Sequence, residues 1–335
     1  MNIPETMMAV IQKESGGELF YEEMPVPLPG KGEVLVKMEY APVNPSDLSF
    51  LQGSYAEKPS YPAIPGIEGS GTVVMAGKGI LPFMRKGKRV ACTSTHGKGG
   101  SWAEYMVTSA MNVIPVGNDI NFEQAATMIV NPLTALSFMD IIKKHKHQAV
   151  ANNGAGGALG KMLVRLCKKE NIKLISIVRS EESAVKLKES GAETVIIQNK
   201  DDFEEQLKKH FDNLKPTLIF DAVGGEQTKL LVEYSPAGST IMPYANLSEQ
   251  DSVFNPRTLL QQDKIIKGFF LGSHTSQQSL PKVLKNIKTA QKLIGSVLNT
   301  DIRKIYNAEE ANRAIADYRN NQSKGKVLIK PGLIS

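Results

Sequence analysis

Cysteine is scarce: Cys92 and Cys167 are the only two in 335 residues. Two thiols cannot build a disulfide framework or a cysteine-rich structural zinc lobe, and they fit a reducing compartment. No apolar run approaches the roughly 18 residues of a membrane span, so no crossing and no membrane partner are expected. The opening MNIPETMMAV lacks the basic and apolar regions of a secretory signal and the Arg/Ser richness of a transit peptide, which makes the cytoplasm the expected compartment. Acid is only slightly short, 34 Asp and Glu against 40 Lys and Arg, net +6. The bases are scattered as solvated faces, so a nucleic-acid partner is not expected; a pocket for an acidic small molecule is the other reading of the excess.

What is present is ordinary globular chemistry, 41% hydrophobic and 22% charged. At about 150 residues per domain the length suggests two domains. The first third has short strands broken by Gly/Pro turns. In EVLVKMEYAPVN, residues Val34, Val36, Met38 and Tyr40 share one face by period two, and GTVVMAG, KRVACTS and SWAEYMVTS read similarly. This predicts a barrel-like β domain. Near residue 121 the pattern changes: Asn121 with Gln124 has the spacing of a capping box, and Pro132 interrupts or restarts the helix that follows. From Gln148 onward, apolar strands (QAVANN, KLISIV, TVII, TLIFDAV, STIMPY, KIIKGFFLG) alternate with helical stretches, one of them closed by Gly191. That alternation predicts an α/β fold with a doubly wound parallel sheet covered on both faces. The expected division is 1–124 with 273–335, and 125–272.

QAVANN runs into Gly154-Ala-Gly156-Gly157-Ala-Leu-Gly160 and then a helix. Small residues there let the backbone approach a pyrophosphate, and the helix N-terminus offers free N–H groups and a positive dipole end. The spacing is G-x-G-G-x-x-G rather than G-x-G-x-x-G, which leaves open which glycine does which job. The next strand ends SIVRSEE, with Arg179 and Ser180 where NAD-preferring folds place an acid. A guanidinium and a hydroxyl suit a 2′-phosphate, so NADPH is the expected coenzyme, with Glu181 and Glu182 close enough to weaken the preference.

In this order the segments APVNPSDLSFLQGSY, PAIPGIEGSGTV, GSWAEYMV, AATMIVNPLTA, FDAVGG and LLQQDKIIKGFFLGS resemble the medium-chain dehydrogenase/reductase superfamily over nearly the whole chain. The resemblance implies a GroES-like β-barrel catalytic domain, a Rossmann domain, and a C-terminal return to the first. It is closest to the zinc-free 2-enoyl thioester reductases and quinone oxidoreductases. Where zinc-dependent relatives carry Cys and Gly-His-Glu, this chain has Asn44 and Gly66-Ile67-Glu68; neither Asn44 nor Ile67 replaces a thiolate or an imidazole. Among His96, His145, His147, His210 and His274, only the pair in KKHKH is close in sequence, and it reads as a solvated helix end. No metal is expected.

The resemblance also implies site residues. Tyr55 would donate the proton in enoyl reduction; a phenol with a pKa near ~10 stays protonated at neutral pH. Asn44, Asn131, Thr134 and Lys326 would contact the coenzyme, Asn131 near the nicotinamide. Gly156, Gly157, Ala158 and Leu159 would line the pyrophosphate. Tyr244, Ala245, Asn246 and Leu247, and Phe269, Phe270, Leu271 and Gly272, would flank the nicotinamide half. Phe270 stands where the enoyl reductases typically show Trp, which bears on the acyl pocket; the single Trp102 reads as core. The expected activity is NADPH-dependent reduction of a trans-2-enoyl thioester. Quinone reduction is the first alternative, and an NADPH-binding protein with little turnover the second. KIIKGFFLG is expected at a sheet edge, where pairing with its copy would give a homodimer.

Overall fold

The computed structural model describes residues 3–55, 59–95 and 97–332; of the side chains singled out above, only His96 lies outside them. The chain divides into two compact units, Met1–Asn131 with Ile287–Ser335, and Pro132–Asn286. Both changeovers fall later than the sequence suggests.

The first unit opens with β1 (Thr6–Gln12), β2 (Leu19–Pro25) and β3 (Glu33–Pro42), then α1 (Pro45–Leu51), β4 (Glu68–Ala76), α2 (Ile80–Arg85), β5 (Arg89–Thr93), β6 (Tyr105–Ser109), β7 (Val113–Pro115) and α3 (Phe122–Ala126). Strand β3 is central: it pairs with β4 and β6, both antiparallel. Val34, Val36 and Met38 enter one buried cluster, as period two predicts, but Tyr40, beyond a register shift in the pairing with β4, is half-buried and does not; Leu35 is fully buried in another cluster, so both faces of β3 are covered. Trp102 is wholly buried and its indole donates to Pro42 O at 3.4 Å, a core residue as expected. Two corrections apply. Strand β6 begins only at Tyr105, with Ala103 making an isolated bridge to Ala9. The capping box is half a box: Asn121 Oδ1 accepts from Gln124 N at 2.8 Å, but the Gln124 side chain donates instead to Thr300 O at 2.9 Å.

Helix α4 (Val130–Lys144) follows, with Pro132 in its first turn, where no N–H is needed. The second unit then alternates: β8 (Ala149–Asn152), α5 (Ala158–Lys169), β9 (Lys173–Val178), α6 (Glu181–Glu189), β10 (Thr194–Ile197), α7 (Phe203–Leu214), β11 (Leu218–Asp221), α8 (Glu226–Tyr234), β12 (Thr240–Pro243), α9 (Pro256–Gln262), β13 (Ile265–Ile266) and α10 (Leu271–Ser276). Its six-stranded sheet has the order β10-β9-β8-β11-β12-β13 with every pairing parallel. This is the doubly wound Rossmann order, and its switch point lies between β8 and β11. The expected strand KIIKGFFLG is corrected to two paired residues; Phe270 already caps α10. Its edge position stands.

After α11 (Leu280–Leu293), β14 (Ile302–Asn307), α12 (Ala311–Asn320) and β15 (Lys326–Lys330) complete the first unit. Strand β15 pairs parallel with β14 and antiparallel with β3, so the last strand joins the sheet built by the first forty residues.

Candidate active site

In the second unit the open question about the glycines has an answer. Gly154 makes the turn after β8, at φ +59°, where a Cβ would come within 3.0 Å of the Ala222 Cβ. Gly157 is the N-cap of α5. Gly160 allows close packing: a Cβ there would lie 2.2 Å from Ala155 O. Gly156 is buried and Ala158 and Leu159 are half-buried in the first turn, where backbone N–H groups have no intrahelical partner. These residues fit a pyrophosphate. Gly160→Ala is expected to cost about 1–3 kcal/mol by overpacking, checked by thermal melting.

A buried polar knot fixes the loops at the switch point. Asp221 accepts from Asn153 Nδ2 at 2.6 Å, from the Val223 and Gly224 amides at 3.0 Å each, and from Thr228 Oγ1. Asn153 Oδ1 in turn accepts from Ala222 N at 2.6 Å. The ends of β8 and β11 are thereby locked together. Tyr244 N donates to Asp221 O at 2.9 Å and Leu247 N to Ala222 O at 3.0 Å, which sets Tyr244–Leu247 over the same strand ends. The Phe138 ring stacks on Phe220 at 3.9 Å between centroids and meets Tyr244 and Phe269 edge-on at 5.2 and 4.9 Å. Phe269 is buried and bonded to Pro243 O at 2.8 Å, whereas Phe270 is half-exposed and Gly272 exposed.

Arg179 is exposed directly after β9, and its carbonyl accepts from Asn199 N at 3.3 Å. Ser180 caps α6 through Ser183 N at 3.4 Å. The neighbouring acids are engaged elsewhere, Glu181 with Lys200 and Glu182 with Lys186 at 2.8 Å.

The first unit holds a buried ionic cluster that sequence reasoning only half found. Asn44, Asp47, Glu68 and Lys326 are all buried. Lys326 Nζ donates to Asn44 Oδ1, and Asn44 Nδ2 donates to Glu68 Oε1 at 3.0 Å. Glu68 Oε2 accepts from the Val130 and Ile129 amides at 2.9 and 3.3 Å. Asp47 accepts from Asn44 N at 2.7 Å and Ile67 N at 2.9 Å. Asn44 and Lys326 were singled out separately; the two acids joining them were not. The available signal was Glu68 itself, an acid opening the apolar run EGSGTVV.

Burial pushes the Asp47 carboxyl up to about 7, against the opposing pull of its amide donors and Lys326. It pushes Lys326 down to about 8, against Glu68 and Asp47, and raises Glu68 as well. Between an unfolded value near 3.8 and about 7, the folded protein carries more of the Asp47 proton, so stability falls as pH rises through that window. Between about 8 and 10.5 the unfolded chain carries more of the Lys326 proton, so stability recovers with pH. Denaturant midpoints against pH should therefore dip between the two windows, and Asp47→Asn should flatten the acid-side slope.

Tyr55 follows α1 and is half-buried; Ser49 O accepts from Tyr55 N at 3.1 Å and from Ser54 N at 2.9 Å. Gly53, at φ +67°, makes the turn that brings it there. Asn131 is the second residue of α4, half-buried, and Thr134 is buried one turn on. Cys92 and Cys167 are free and buried, and burial raises both thiols, Cys167 to about 12. Among the described residues no three of His, Cys, Asp and Glu gather as a metal site. No helix of the described residues is long and apolar enough to cross a membrane.

One unit is a Rossmann sheet with a glycine loop at its switch point, and the other is a β unit completed by the C-terminal strand; chains built of these two parts are dinucleotide-dependent oxidoreductases. Residues 30–118 match the family model of the alcohol dehydrogenase GroES-like domain, and residues 158–289 that of zinc-binding dehydrogenase. The mitochondrial enoyl-[acyl-carrier-protein] reductase of Caenorhabditis elegans is 32% identical over 284 residues, 82% of this chain and 79% of that protein. A solved structure described as an NADPH:quinone reductase from Mesorhizobium loti is 30% identical. It covers 99% of this chain and 100% of that one, with a TM-score of 0.92. A mycobacterial protein solved with NADPH shares the fold, at 23% identity and TM-score 0.84 over 97% of this chain and 100% of that one. The chain belongs to the medium-chain dehydrogenase/reductase superfamily, in its zinc-free branch, and is a reductase enzyme.

Proposed function

We propose that the protein is an NADPH-dependent reductase of activated carbon–carbon double bonds, acting on a trans-2-enoyl thioester. The observation that carries the coenzyme reading is the cradle of Gly154, Gly157 and Gly160 at the switch point, with Arg179 in place of an acid at the end of β9. In the second unit, Gly156, Gly157, Ala158 and Leu159 would hold the pyrophosphate and Arg179 with Ser180 the 2′-phosphate. Tyr244–Leu247 and Phe269–Gly272 would serve the nicotinamide half. In the first unit, Asn44, Asn131 and Lys326 would do the same. Reduced nicotinamide supplies a hydride when bound. Tyr55 would hold a proton at its phenolic oxygen for the α-carbon, once the β-carbon has taken the hydride and the enolate carries the charge.

The enoyl thioester reading is supported by the C. elegans relative, and quinone reduction by the M. loti structure. Following NADPH absorbance with crotonyl-CoA and with a naphthoquinone separates them. Faster turnover of the thioester supports the first reading, and turnover of the quinone alone overturns it. Binding of NADPH with neither acceptor reduced would favour a coenzyme-binding protein. Arg179→Ala is expected to raise the KM for NADPH about tenfold or more, the weight of one charge-assisted contact, and to leave NADH nearly unchanged. Steady-state kinetics with both coenzymes check this, and equal effects would remove the 2′-phosphate assignment. Strand β13 closes one edge of the six-stranded sheet with Ile265 exposed, which supports a homodimer paired along that edge.

A further inference from the structure

A buried carboxylate is expensive, and apolar residues of the same volume often give equal or greater stability. No step of the chemistry above uses Glu68, yet its side chain is saturated. Oε1 accepts from Asn44 Nδ2 at 3.0 Å, and Oε2 accepts from Val130 N at 2.9 Å and Ile129 N at 3.3 Å. Because Nδ2 of Asn44 faces Glu68, its Oδ1 faces the Lys326 ammonium. The orientation of the Asn44 amide is thus decided by Glu68, and with it the seat of Lys326. Val130 is the residue before Asn131, so the same carboxylate holds the start of α4. Of the three first-unit residues assigned to the coenzyme, Asn44 is bonded to Glu68 directly, Lys326 reaches it through Asn44, and Asn131 follows the Val130 amide that it holds.

We infer that Glu68 is a positioning residue for coenzyme binding, orienting Asn44 and Lys326 through its Oε1 and Asn131 through the amides at the start of α4. The inference rests on the NADPH reading above. Glutamine is nearly isosteric but cannot replace Glu68: its terminal NH₂ must face either Asn44 Nδ2 or the α4 amides, and both are donors.

The test is calorimetric titration of NADPH into the wild-type protein, Glu68→Gln, Asn131→Ala and the double variant, with melting temperatures measured in parallel. Glu68→Gln is expected to raise the dissociation constant roughly 10- to 100-fold, the weight of a hydrogen bond to a charged group. The double variant should fall well short of the product of the single effects, because both act on the same contact. A merely structural role would lower the melting temperature without that coupling. Should Glu68→Gln fail to fold, Glu68→Asp, which keeps the charge but shortens the reach by one methylene, takes its place with the same outcomes. A dissociation constant within about twofold of wild type, or single effects that multiply, overturns the inference. A wild-type protein that does not bind NADPH overturns the coenzyme reading itself, and the two failures are thereby distinct.

Discussion

Tyr55→Phe is expected to slow crotonyl-CoA reduction by about 10²- to 10⁴-fold, the usual range for losing a positioned general acid. The phenyl ring keeps the shape and the packing of the loop after α1, where the backbone of Ser54 and Tyr55 is tied to Ser49 O. What is removed is the phenolic hydroxyl, and with it the proton it would transfer. NADPH affinity should hardly move, so the loss should fall on kcat rather than on coenzyme KM. Quinone reduction, whose product oxygen can take its proton from water, should suffer much less. Rapid-mixing measurement of NADPH oxidation with the two acceptors checks the contrast. Near-normal crotonyl-CoA turnover in this variant would remove Tyr55 from the reaction.

Glu68→Ala should destabilise the first unit by about 3–5 kcal/mol, the cost of stripping one partner from a buried ionic cluster. Alanine leaves the Val130 and Ile129 amides and Asn44 Nδ2 without their acceptor, and leaves Lys326 with Asp47 as its remaining buried counter-charge. Urea unfolding checks the figure, read on Trp102, the single tryptophan and a core residue of that unit. A loss below about 1 kcal/mol, the scale of an exposed pair, would show that the cluster is solvated in solution. Double replacement of Glu68 and Lys326 by apolar residues should recover part of the loss, because no lone charge is then left inside.

The alternation of strand and helix after Gln148 carried the Rossmann unit into view, because each parallel strand is a continuous apolar run and each helix keeps its own period. The glycine loop was equally visible, since the turn at Gly154 and the close approach at Gly160 each exclude a Cβ. What the chain does not advertise is pairing between distant segments. Strand β6 shrank to Tyr105–Ser109, and KIIKGFFLG to Ile265–Ile266, because apolar composition marks burial but not where a ladder ends. Gln124 was spaced for a local cap and was taken by Thr300, far along the chain. The cluster around Glu68 shows the same limit. Asn44, Glu68, Val130 and Lys326 meet only after β3, β4, α4 and β15 are in place, so no local pattern announces their contact.

Strand β15 has a consequence for how the protein is made. Residues 132–286 are contiguous and emerge from the ribosome as a complete unit, but the preceding segment lacks its β15 partner until translation reaches Lys326. At about 5–20 residues per second that interval lasts roughly 10–40 s. During it the edge of β3 that β15 will cover, at Ala41 and Pro42, stands open, and Asn44 has no ammonium beside it. The nascent chain is therefore most exposed to misassociation and chaperone capture in its first unit, and truncation before Lys326 should leave residues 132–286 folded while the first unit stays a client of quality control.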